Sequence, residues 1–392
     1  MDEQKRSLNI LSFVLLVVSL GYGIFSPILP FYIESMGASG TELGLLNASY
    51  AVMRLIFGPI WGSISDRIGR KRILMVGILG FGITMVWFGL ATQLWMLFAA
   101  RILAGILSSA TAPTTMAYIG DNAPEGELSK GMGRLSAAGG IGAILGPLLG
   151  GLVASDSLST PFFIAAGLAG ISLVLALIFL PESKSAQKEE PEGKKQIIDM
   201  RGWGKTIFSP VGRLFTLTFV STSGLYIFSN TFGLYGLERF GFGTEEVGVV
   251  YMVLGLVSML SIGLLVGPAT KLLGDEKIVR FGFLGAAISL GLMPLANGLI
   301  SVILITGLLA VAVSLQGISL TSLTSKLATT EQGVTMGLSN SFVSLGRIVG
   351  PILGGVLLDI NLNLPFNGAA GMLLIAFIFS TIWIGKQSYK IL

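Results

Sequence analysis

Twelve stretches of about 20 mostly apolar residues recur along the chain, centred near residues 20, 53, 82, 107, 143, 171, 222, 257, 288, 312, 347 and 376. A helix needs about that length to cross the hydrocarbon core of a bilayer. Lipid offers no hydrogen-bond partners, so each span must satisfy its own backbone as a helix. The sequence therefore predicts an all-α membrane protein with twelve transmembrane helices. Composition agrees: 12% of the 392 residues are charged, about half the usual share in soluble domains. The first stretch reads as a span rather than a cleaved leader, because it is long, contains Pro27 and Pro30 and lacks a small-residue cleavage site.

The positive charges give the orientation, since Lys and Arg collect in cytoplasmic loops. With the N-terminus inside, 21 of the 25 Lys and Arg residues fall on the cytoplasmic side and Arg239 alone lies in an outer loop. The expectation is a multi-pass protein of the cell (inner) membrane with both termini cytoplasmic. The remaining three, Arg54, Arg101 and Arg347, lie inside spans. The chain has no Cys and no His, which removes disulfides, zinc sites and thiolate or imidazole catalysis. It also lacks a GxxxxGKS/T phosphate loop. Neither an enzyme nor an ATP-driven pump is expected, and no metal or cofactor. The basic residues are spread between apolar stretches, so nucleic acid is not an expected partner. The bilayer and a small-molecule substrate are, with the monomer as working unit.

A polar stretch, 182–205, separates six spans (1–181) from six (206–392), and the halves repeat. Glu127, Met132 and Gly133 recur as Glu331, Met336 and Gly337 at an offset of 204. At the same offset, Gly142, Gly146, Pro147, Gly150 and Gly151 recur as Gly346, Gly350, Pro351, Gly354 and Gly355. Identities in fixed register on the fifth span of each half indicate a duplicated six-helix unit, a known transporter plan with substrate bound at mid-depth between repeats. Small residues three or four apart let helices approach closely in lipid, and an internal proline bends its helix. The glycine–proline helices, with Gly142, Gly146, Pro147, Gly150, Gly350, Pro351 and Gly354, are thus candidate rocking elements.

The loop after the second span reads Gly62-Ser63-Ile64-Ser65-Asp66-Arg67-Ile68-Gly69-Arg70-Lys71-Arg72. This resembles the major facilitator superfamily signature G-x-L-A-D-R-x-G-R-K. Span four carries Arg101-Ile-Leu-Ala-Gly105 and ends at Asp121, similar to the superfamily's fourth-helix arginine motif, and span five resembles its antiporter motif. Residues 26–46, the stretch from Ala296 into span ten, and Gly337-Leu-Ser-Asn-Ser-Phe342 resemble the bacterial drug:proton antiporter branch of multidrug and tetracycline exporters. The resemblance implies two pseudo-symmetric six-helix bundles, alternating access and efflux, with proton coupling left open. It also implies an inner gate of Gly62, Asp66, Arg67, Gly69, Arg70, Lys71 and Asp121, in which Asp66 meets the start of span eleven and Arg70 pairs with Asp121. In the second-half counterpart, residues 267–277, Lys271 stands where the Asp should be, so an asymmetric lock is expected.

Exporters of that branch place carboxylates inside the membrane, where desolvation raises their pKa. Here all 21 acids fall at span ends, loops or the linker. Glu34, at the outer end of span one, is the coupling candidate. Two substrate readings follow. In one, Tyr22, Phe25, Tyr226, Phe232 and Tyr235, with the polar Asn230 and Gln316, line a broad cavity for amphiphilic drug-like compounds. In the other, Arg54, Arg101 and Arg347 hold an anionic metabolite or amphiphile, since arginine's planar fork suits carboxylate and phosphate. Arg54, Gly58 and Gly62 share a face expected to meet span eleven. A non-transporting receptor or scaffold is a third, minor reading.

Overall fold

The structure, a computed structural model, describes residues 2–122, 127–155, 157–183, 210–328 and 332–385. The linker 182–205 lies outside these residues from position 184 onward, as do Glu331, Lys386 and Lys390. Among the described residues, twelve helices are long and apolar enough to cross a membrane. They are α1 (Lys5–Glu34), α2 (Gly40–Ile68), α3 (Arg70–Leu90), α4 (Leu94–Asn122), α5 (Leu128–Ala154) and α6 (Thr160–Phe179). The others are α7 (Val211–Phe240), α8 (Thr244–Leu273), α9 (Asp275–Leu295), α10 (Leu299–Lys326), α11 (Gln332–Ile360) and α12 (Leu364–Trp383). The described residues contain no strand.

Two helices depart from regular geometry inside their spans. α4 tightens into a 3₁₀ turn at Ser108–Ala110, and α8 widens into a π stretch at Ser261–Leu265. Such local windings shift the facing of everything beyond them. α2–α3 and α8–α9 join through single glycines with positive φ, Gly69 at 112° and Gly274 at 75°. A side chain would strain both turns.

Contacts sort the chain into two compact units. The first comprises Met1–Ala38, Leu46–Glu190 and Gly236–Met252; the second comprises Ser39–Leu45, Pro191–Tyr235 and Val253–Leu392. In the first, α1 packs along α5 and α6, and α3 packs on α4 and α6. Its core includes an aromatic stack of Phe25, Phe88 and Phe162, with centroids 4.9 to 5.8 Å apart. In the second, α9 lies against α10 and α12, and Phe366 packs against Phe228 and Tyr235. Ser39–Leu45, which begins α2, belongs to the second unit, and the start of α8 belongs to the first. The reason is glycine contact with backbone, developed below.

Candidate functional site

In the first unit, Gly105 draws α4 onto α2: a methyl group there would stand 2.8 Å from the Tyr50 carbonyl oxygen and 2.6 Å from Met53 Cβ. One turn earlier on α4, Arg101 is then close enough to bond α2. Its Nη2 donates to Asn47 Oδ1 at 2.5 Å. Its guanidinium carbon lies 3.9 Å from the Phe25 ring centroid and 5.0 Å from that of Tyr50. Tyr50 in turn donates its hydroxyl to Tyr22 at 2.6 Å. Arg101 is 6% exposed, and its Nε has no hydrogen-bond partner among the described residues. Aromatic faces recover about 2 kcal/mol for a desolvated cation without neutralising it. No carboxylate pairs with Arg101 among the described residues. Arg54, one turn beyond Tyr50, is exposed, with its charge in electrostatic reach of the Tyr22 hydroxyl.

The second unit holds a looser version. Half-buried Arg347 lies 5.7 Å from the Tyr226 ring centroid, and its Nε also has no partner among the described residues. Asn230 is buried and donates through Nδ2 to the Pro351 carbonyl at 3.3 Å. Gln316 is fully buried, and neither amide atom has a partner among the described residues. Gln316 stands at an offset of 205 from Thr111. Each packs against a glycine, Gly282 or Gly77, that admits it. Phe232 and Tyr235 are fully buried; Phe232 stacks on Phe228, and Tyr235 packs on Phe366 and donates to the Met293 carbonyl at 3.3 Å. Of the aromatics grouped by sequence, Tyr22 and Tyr226 are half-exposed beside arginines, whereas Phe25, Phe232 and Tyr235 belong to interhelical cores.

The glycine–proline helices carry two seams each. Gly142, Gly146 and Gly150 press on α1, where added methyl groups would meet the carbonyls of Leu16, Leu20 and Ile24. Gly346, Gly350 and Gly354 press likewise on α7, against Phe219, Ser223 and Ile227. These stripes therefore hold each helix inside its own unit. The second seam runs along Gly151, Gly355 and the carbonyls of Pro147 and Pro351, the two prolines being among the candidate rocking residues. Gly151 meets the Thr244 backbone and Pro147 carbonyl meets Gly248, both in the first unit. At the 204 offset, Gly355 meets Gly40 and the Pro351 carbonyl meets Gly44, both in the second. Thr244 donates to the Gly151 carbonyl at 2.9 Å. Asp359 accepts from Gly40 N at 2.7 Å, Thr41 N at 2.9 Å and Thr41 Oγ1 at 2.5 Å, capping α2. A methyl group at Gly58 or Gly62 would meet nothing within 4 Å among the described residues. α2 makes its close crossing at the opposite end, where Gly44 lacks a side chain.

At the α2–α3 turn, Arg70 is 9% exposed and pairs with two carboxylates, Asp66 and Asp121, the latter at 2.9 Å through Nε. Its Nη1 donates to Ser65 Oγ at 2.6 Å. Asp66 itself is 59% exposed. Lys71 N donates to Glu182 Oε1 and Lys71 Nζ to the Leu177 carbonyl, each at 2.9 Å, tying α3 to the end of α6. Arg67 and Glu34 are exposed at helix ends.

A family model for the Major Facilitator Superfamily matches residues 11–351 and 259–390. The chain belongs to that superfamily. It is 30% identical over 389 residues to Multidrug resistance protein 2 of Bacillus subtilis (strain 168), covering 99% of this chain and 97% of that protein. It is 26% identical over 373 residues to Quinolone resistance protein NorA of Staphylococcus aureus, covering 94% of each. Among solved structures, the nucleoside transporter NupG aligns with a TM-score of 0.83 at 14% identity, over 98% of this chain and 99% of that one. A bacterial homolog of the human lysosomal transporter Spinster aligns at 0.80 and 13%, over 98% and 97%. These last two share the fold.

Within this superfamily member, the second half has not simply lost its lock. At an offset of 205, Asp66, Arg70 and Asp121 correspond to Lys271, Asp275 and Lys326. Asp275 follows Gly274 as Arg70 follows Gly69; it accepts from Lys326 Nζ at 2.6 Å and Ser322 Oγ at 2.8 Å. All three charges are reversed and one of the two ion pairs is kept: among the described residues Asp275 pairs with Lys326 and not with Lys271. The sequence shows Lys271 in place of the Asp, and the Asp275–Lys326 distance shows that a pair of reversed sign persists. Asn47, Tyr50, Gly44, Gly248, Asp359 and Lys326 were also missed. The 204–205 offset could have flagged Gly248 and Lys326; nothing in the sequence marks Asn47.

Proposed function

We propose that this superfamily member exports small amphiphilic, drug-like compounds across the cell membrane by alternating access, acting as a carrier rather than an enzyme. Its six-helix bundles, 1–181 and 206–392, rock about the substrate, with 182–205 as cytoplasmic linker, both termini cytoplasmic and the monomer as unit. The observation that carries the reading is the repeated glycine-on-backbone contact, Gly44 on Pro351 and Gly248 on Pro147. A crossing without side chains can part and re-form without repacking a core. Tyr22, Phe25, Arg54, Arg101, Tyr226, Asn230, Tyr235, Gln316 and Arg347 serve as cavity or its support. Asp66 closes the cytoplasmic side against the start of α11, and Glu34 is the coupling candidate. The relatives named for multidrug and quinolone resistance support the substrate class.

The test is ethidium and norfloxacin transport by the purified chain in proteoliposomes, with and without a pH gradient. Substrate movement that Asp66→Asn slows, with affinity kept within a few-fold, is the expected result. Ethidium and norfloxacin left unmoved under every gradient would refute export. A second reading, an anionic substrate, is favoured by Arg101, which is buried with no carboxylate partner among the described residues. Arg101→Gln and Arg347→Gln would then lose organic-anion binding while cationic dyes bind as before.

A further inference from the structure

We infer that a groove between α7 and α12 holds one anionic phospholipid, its acyl chain lying on the helices and its phosphate on Arg213. The groove has a volume of about 500 Å³ and is lined by Thr216 and Val220 of α7 and by Gly371, Ile375, Phe379 and Trp383 of α12. On α12 these residues recur at spacings of four, so they form one longitudinal face. Gly371 keeps it open, because a methyl group there would meet nothing within 4 Å. From Gly368, at one end of the lining, to Trp383, at the other, is about 22 Å of helix at 1.5 Å per residue. That exceeds the roughly 15 Å of one leaflet's hydrocarbon, so an extended acyl chain fits along it.

The two ends of the groove differ, and the difference selects the headgroup. Phe379 and Trp383 stack with centroids 4.8 Å apart at the C-terminal end of α12. Exposed Arg213 sits over the Trp383 ring, 5.8 Å from its centroid, one turn before Thr216. Tryptophan and arginine are the residues that sit at headgroup level, and stacking on indole leaves the guanidinium edge free for a phosphate. No acidic residue lines the groove, and Arg213 has no ion-pair partner among the described residues. A zwitterionic lipid neutralises its own phosphate with an ammonium, whereas an anionic one brings a net negative charge to Arg213.

The test is native mass spectrometry of the full chain released from nanodiscs of phosphatidylglycerol or phosphatidylcholine, counting retained lipids. The wild type should keep one phosphatidylglycerol that survives activation and no phosphatidylcholine. One interfacial cation contributes about 1 kcal/mol, so Arg213→Gln should lower phosphatidylglycerol retention about fivefold. Gly371→Leu should abolish it by filling the groove, while Lys130→Gln, an exposed cation on α5, should change nothing. Thermal unfolding of each variant separates lost binding from lost folding. Equal retention of both lipids, unchanged retention in Arg213→Gln, or displacement of the lipid by ethidium with Arg213→Gln indifferent would each overturn the assignment. None of these readouts involves transport, so failure here leaves the export reading untouched.

Discussion

The α2–α3 and α8–α9 turns are the same device built with opposite charge. Each has a positive-φ glycine, Gly69 or Gly274, followed at once by a buried charged residue that pairs with the last turn of the next helix. In the first turn a cation, Arg70, sits between two carboxylates. In the second an anion, Asp275, with a 7% exposed side chain, meets a lysine that is 66% exposed. A buried charge needs a partner at this position, but the geometry is indifferent to sign. What differs is the number of opposite charges. Each central residue is also held by a serine, Ser65 or Ser322, but the fork of Arg70 serves two acids at once. Lys326 contributes a single point charge from solvent. The first turn should therefore be a rigid lock and the second a soft one.

Breaking the rigid lock should have the largest effect. Arg70→Gln leaves Asp66 and Asp121 facing each other without a cation, and the loss of hydrogen bonds to two carboxylates costs about 3 kcal/mol. Thermal unfolding and transport should both suffer, and raised salt should recover part of the loss because Asp66 is largely exposed. Next comes the glycine crossing. Gly355→Val drives a side chain into the Gly40 backbone, and overpacking of that kind costs about 1–3 kcal/mol. It should slow transport about tenfold or more, with fold retained by circular dichroism. Gly371→Val, on the open face of α12, should not.

The soft lock should yield less. Lys326→Gln removes a mostly exposed partner but leaves Asp275 buried with Ser322 still donating, an effect of about 1–2 kcal/mol. The sharper experiment reverses the pair: Lys326→Asp should impair transport, and adding Asp275→Arg, which copies the polarity of the first turn, should restore most of it. A double variant no better than Lys326→Asp would show that the sign matters and that the two turns are not equivalent. Smallest of all, Asp359→Asn keeps a cap on α2 but removes the charge that favours a helix N-terminus, about 0.5–1 kcal/mol. Its counterpart Ser155→Ala should be silent, since Asp359 at the same offset is the only carboxylate of the two.

The twelve spans and the repeat were legible because lipid leaves the chain few options, and because fixed offsets survive where individual residues change. Arg70 with Asp121 was also legible, carried by a motif. The partners of the glycine stripes were not legible, for a physical reason. Periodicity says that a face packs closely but not on which neighbour, so Gly142, Gly146 and Gly150 read as rocking residues while they seat α5 on α1. The deciding glycines, Gly44, Gly151, Gly248 and Gly355, each lie one residue off a stripe or on another helix. The partners of Arg101 were illegible for a different reason. Asn47 and Tyr50 reach it from α2 only because Gly105 brings α4 within contact distance.

The chain contains no cysteine, so a pair can be introduced without background. With Thr41→Cys and Asp359→Cys joined by a short bifunctional thiol reagent, the start of α2 can no longer leave α11. Ethidium transport in proteoliposomes should stop while ethidium still binds, and each single-cysteine variant given the same reagent should transport normally. Full transport by the joined protein would mean that the helices never part there, and the glycine crossing would be structural packing alone.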